Sequence, residues 1–206
     1  LTLGGAAGID LGGDLLTDVG GVAAGGALAL AGDADVAGDA RFRGAVDLDG
    51  TGAQQLVAGG ALRLDAAVTK STGGDLRLEG TTIDANDDVE ATAGGLTLDG
   101  TIAAAGDLTA SGGLTLDGAA TLDGAGLQTL TAGGALSATG TVTKATGDLV
   151  LDVPALDLDG DVEATAGGLT LDGTIAAAGD LTAGTGLTVD GAATLDGAGL
   201  QTLTAG

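Results

Sequence analysis

The chain has 206 residues and a formal net charge of −23, from 29 acidic and six basic residues. So acidic a balance argues against nucleic acid and anionic membrane as partners, since both need a cationic footprint. There is no His, Cys, Met, Trp or Tyr, which excludes a His-assisted nucleophile, a thiolate and a disulfide framework. With 43 glycines and a single aromatic, Phe42, any core must be built from Leu, Ala, Val and Ile, and it should be thin. A mean hydropathy of +0.41 and regularly spaced leucines oppose disorder, although the glycine and the charge lean towards it. No apolar run spans a bilayer, since the stretch from Val19 to Gly32 is short and broken by glycine. With no initiator Met and no signal peptide, the sequence reads as an excerpt or a mature segment.

In chain order, the first 87 residues hold a diverged copy of the later sequence. Gly50 to Leu62 matches Gly124 to Leu136, and Val68-Thr69-Lys70 matches Val142-Thr143-Lys144, both at an offset of 74. Residues 88–133 then recur as 161–206 at an offset of 73, with three differences in 46 positions: Ser111 against Gly184, Gly112 against Thr185, and Leu116 against Val189. Tandem copying of this kind marks a repeat architecture. The chain divides into one continuous array of copies near 73 residues: 15–87 (diverged), 88–160 and 161–206 (partial).

Inside a copy, short runs such as Leu96-Thr97-Leu98, Leu108-Thr109 and Leu114-Thr115-Leu116 alternate apolar and polar residues, which is strand periodicity. Gly-Gly or Asp-Gly follows each run and supplies turn geometry. Glycine at short intervals defeats the helix propensity of alanine, so no α-helix is expected. Strands this short are stable only when successive windings stack. The fold class expected is therefore all-β, a parallel β-helix or β-solenoid. Paired glycines at Gly94, Gly112, Gly133 and Gly167 divide the copy into coils of about 18 residues, about 11 coils in all, each rising about 4.8 Å.

The stretches GGLTLDGTIAAAGDLTA and GLQTLTAGGAL resemble the degenerate coils of the filamentous haemagglutinin family, the two-partner-secreted exoproteins and adhesins of bacterial surfaces. The resemblance covers nearly the whole chain. It implies a right-handed β-helix shaft and an extracellular or cell-surface location. The chain departs from the family in its turns, which carry Asp where Asn is common, and in lacking a visible secretion cap.

Two acidic groups are candidate sites: Asp84, Asp87 and Asp88, and Asp157, Asp159 and Asp161. Paired carboxylates can act as acid and base, and stacked acidic turns can collect calcium. Asp precedes Gly so regularly here that turn chemistry accounts for most of them. The calcium-loop fragment at Asp157 to Asp161 lacks its glutamate, and the nonapeptide of calcium β-rolls is absent. No catalytic, cofactor-binding or metal residue is assigned, and neither enzymatic activity nor a cofactor is expected. Thr-x-Thr recurs too sparsely for an ice-binding array. The six basic residues read as scattered partners of surface Asp. Neither Leu1-Thr2-Leu3 nor the stretch Gln201 to Gly206 resembles a solenoid cap. The expectation is a non-enzymatic segment of an extracellular bacterial filament, whose partner is itself, end to end or as a longer chain. The alternative is an adhesin shaft that binds a surface glycan through its side faces, and a polysaccharide-active β-helix is a distant third.

Overall fold

The computed structural model describes residues 1–4, 8–198 and 200–206. Every regular element among them is a β-strand; there are 27, and each pairing is parallel within one continuous sheet. The expected β-solenoid is what the chain forms.

The alternation read from the sequence places the side chains. In Leu108–Ala110 and Leu114–Asp117 the Leu and Ala side chains are buried and the Thr side chains lean outward. Each coil carries three strand segments, so the shaft has three faces. One coil runs through residues 96–99 and 101–104 of the strand Leu96–Ala104, then through Leu108–Ala110. The next coil lays Leu114–Asp117, Ala120–Leu122 and Gln128–Ala132 on these in register: Leu96 on Leu114, Ile102 on Ala120, Leu108 on Leu130. These segments define the first, second and third faces. Four longer strands, Leu76–Ala85, Leu96–Ala104, Leu149–Leu158 and Leu169–Ala177, run on around a corner, where the register of the first on the second shifts between Glu79 and Thr82 and that of the third on the fourth between Asp152 and Ala155.

Coils are longer and less uniform than the expected 18 residues. The step is 18 from Leu96 to Leu114, 22 from Leu114 to Leu136 and 20 from Leu136 to Leu156. About ten coils give a shaft about 50 Å long at a strand spacing of about 4.8 Å.

The 73-residue unit is not a whole number of coils. Eleven strand segments separate Val89 from its copy Val162, and three segments make a coil. The unit therefore spans three and two-thirds coils, and each copy begins one face away from the last. Leu108 and Leu130 pair on the third face, while their copies Leu181 and Leu203 pair on the second. Identical sequence forms identical pairings on different faces.

Inward residues stack as ladders. On the first face Leu76, Leu96, Leu114, Leu136, Leu156 and Ile175 follow one another, each at most 2% exposed. Burying each large aliphatic side chain contributes about 1.5–3 kcal/mol. Phe42 also points inward, between Ala24 below and Leu64 above; the small alanine makes room for the ring.

The corner between the first and second faces is a glycine column. An added Cβ on Gly118, Gly140, Gly160 or Gly179 would strike the backbone of the glycine one coil below. Gly100 and Gly118 also hold φ of +140° and +137°, a region that side chains oppose.

Candidate functional site

Many of the polar side chains that tie coil to coil sit at the corners, and two of the candidate aspartates are among them. Asp88 and Asp161 are inter-coil staples. Asp88 Oδ1 accepts the amide of Asp107 one coil above, and Asp107 Oδ1 accepts that of Thr129, both at 2.8 Å. In the next copy Asp161 accepts from Asp180, and Asp180 from Thr202, at 2.8 Å. Asp14, Asp39, Asp75 and Asp148 do the same at other corners. These carboxylates satisfy amides that the sheet ladder leaves free at the bends.

The remaining candidates are not brought together. Asp84 lies on the second face, paired to Arg63 at 3.0 Å. Asp87 accepts the amide of its neighbour Asp88 at 2.9 Å. Asp157 points outward between Ser137 and Ala176, and Asp159 lies exposed in the following corner. No group of three or more metal-ligating side chains among the described residues is placed to hold an ion. The staples need only backbone donors. Melting in a chelator is therefore expected to match melting in buffer, and a fall of more than about 5 °C, roughly 2 kcal/mol at this size, would contradict this.

Arg41, Arg63 and Arg77 form a local network. Arg41 and Arg63 converge on Asp65 at 2.6 and 2.7 Å, and Arg77 bridges Glu79 and Asp99 at 3.0 and 2.5 Å. The hydrogen bond from Arg63 holds the Asp65 carboxyl below its ordinary range, against an opposing effect of burial. Its contribution to stability is present above that ordinary range and is lost as pH falls through the lowered value. The pairs are half exposed, so Arg77→Ala should cost no more than about 1 kcal/mol in a denaturant melt.

Lys70 and Lys144 are not surface partners of Asp. Both are fully buried, on inward positions of Val68–Lys70 and Val142–Lys144. Lys70 packs between Leu48 and Ala91, and Lys144 between Leu122 and Ala164. The Lys70 ammonium donates to Gly50 O at 2.5 Å and to Thr72 O and Oγ1 at 3.1 and 2.8 Å. Lys144 donates to Gly124 O, the equivalent atom one unit on.

A buried glutamine accompanies each lysine. Gln54 Nε2 donates to Leu30 O and Gly32 O at 2.9 and 2.7 Å, and its Oε1 accepts the Gly50 amide at 2.8 Å. Gln128 Nε2 repeats the donations, to Ala104 O and Gly106 O, but its buried Oε1 finds no partner among the described residues; Gln201 repeats the whole pattern, donating to Ala177 O and Gly179 O and accepting the Gly197 amide. The N–H and the C=O of Gly50 are thus both held, and a polar thread joins three consecutive coils. The threads occupy a different corner in each copy. A sequence signal for the lysines existed: in Val-Thr-Lys the Lys shares the inward phase of Val.

Desolvation pushes both lysines below the ordinary range, against the pull of Asp49 and Asp47 on Lys70 and of Asp123 and Asp107 on Lys144. Between the lowered folded value and the unfolded value the unfolded chain binds more protons, so stability rises with pH there. Relative to Lys70→Met/Lys144→Met, the parent should gain melting temperature through the alkaline range. A parent that loses ground on the variant would contradict this sign.

One open depression lies on the third face, lined by Asp10, Ala29, Asp47, Thr69 and Ser71. Ser71 Oγ donates to Asp47 there at 2.7 Å. No helix among the described residues is long and apolar enough to cross a membrane. No family model, no curated protein and no solved structure matches the chain.

Proposed function

We propose that this chain is a non-enzymatic structural segment of an extracellular bacterial filament or surface fibre, extended by stacking coil upon coil. The observation that supports this is the unit itself. Eleven segments on a three-faced shaft make a screw of about a third of a turn and about 18 Å, an operation that never closes on itself. Further coils arrive as a continuation of the chain or as a second copy seated end to end. Polar side chains support the same reading, since they staple coils together instead of converging on a substrate. Negative-stain images of the native material should show thin unbranched fibres; compact particles would overturn the proposal.

A second reading, an adhesin shaft with a glycan on its side, draws on the third-face depression at Asp10, Ala29, Asp47 and Ser71. Retention on a glycan array that is lost in Ala29→Trp would favour it.

A further inference from the structure

We propose that the buried Gln–Lys threads are register pins, which fix which coil stacks on which. Nearly every strand of the shaft carries the same alternation, with Leu, Val, Ile or Ala inward. Residues 102–104, Ala120–Leu122 and Val142–Lys144 lie one above another on the second face with equivalent backbone pairing. Looping out one coil and pairing the first with the third preserves both the alternation and the parallel ladder. Apolar burial alone separates such alignments poorly.

The threads separate them. Lys144 reaches Gly124 O in the five-residue corner 123–127 of the coil below, and Gln128 reaches Ala104 O and Gly106 O in the coil below that. Slipped by one coil, the Lys144 ammonium is buried without its carbonyl, a costly state. Gln54 and Lys70 impose the same condition in the preceding copy. A buried polar group that fixes register at some expense of stability is an established use of such residues.

The test uses Lys70→Met/Lys144→Met in the whole chain, with cysteine pairs as reporters. The parent has no cysteine, so any disulfide is unambiguous. Thr121→Cys/Thr143→Cys reports native neighbours. Ala103→Cys/Thr143→Cys reports a slip that loops out the coil of Thr121 and Gly124 and seats Lys144 over Ala104, because in the native stack these two positions lie two coils, about 10 Å, apart, beyond the roughly 7 Å a disulfide bridges. In the parent only the first pair should close. In the double Met variant, the second pair should close in at least about a tenth of molecules, with the melting midpoint within about 5 °C of the parent or above it. Closure of the first pair alone in the Met variant would overturn the proposal. So would a collapsed melting midpoint, or a variant that does not fold, since the lysines would then supply stability and not register.

Discussion

Alanine at Gly100 is expected to cost about 3 kcal/mol, a fall of about 10 °C in melting temperature for a chain of this size. Two effects add. The φ of +140° opposes a side chain, and the new Cβ falls well inside contact distance of Gly80 O in the glycine column. The column cannot relax easily, because Gly118 rests on Gly100 in turn. Gly126 supplies the control. It has no positive φ, and a Cβ there meets nothing within 4 Å, so Gly126→Ala should stay within about 0.5 kcal/mol of the parent. Far-UV circular dichroism melts of the two variants decide the matter, and equal midpoints would contradict the column. Amide exchange should also quicken first in the coils around residues 76–118 of the Gly100 variant.

The second large effect contrasts two copies of one residue. Leu130 is fully buried between Leu108 and Leu151, and Leu130→Ala should cost about 3 kcal/mol. Its copy Leu203 pairs with Leu181 in the same way but is 48% exposed. Leu203→Ala should therefore cost less than about 1 kcal/mol. Appending a further unit after Gly206 places a coil over Leu203, and the same substitution should then cost as much as Leu130→Ala. If the cost stays small with the added unit in place, stacking does not propagate as described.

Much of the fold is legible in the sequence because its physics is local. Leu-Thr-Leu fixes inward and outward sides, and glycine at short intervals excludes helix, so only stacked windings remain. Coil length is less legible, because the paired glycines mark corners unevenly. From Gly94 to Gly112 is one coil, but the interval from Gly134 to Gly167 holds one and two-thirds. It contains the corner at Val153-Pro154, which the strand Leu149–Leu158 turns with no glycine at all. Dividing that interval into two equal coils hides the change of face.

Less of the candidate site is legible. Asp before Gly reads correctly as turn chemistry, though only the structure shows that Asp88 and Asp161 bond upward to the next coil. The lysines escape a reading that treats charge as a surface marker, while phase within Val-Thr-Lys places them inside. Gln54 and Gln128 give no such warning, since their partners are backbone carbonyls 22 and 24 residues earlier in the chain.

Repeated units climb a three-faced shaft by three and two-thirds coils each, and cryo-electron microscopy of a tandem array of residues 88–160 tests this directly. The map should show strands about 4.8 Å apart along the axis, with successive units related by a rise of about 18 Å and a third of a turn. Units that repeat with no rotation after a whole number of coils, or an axis without the strand spacing, would contradict it.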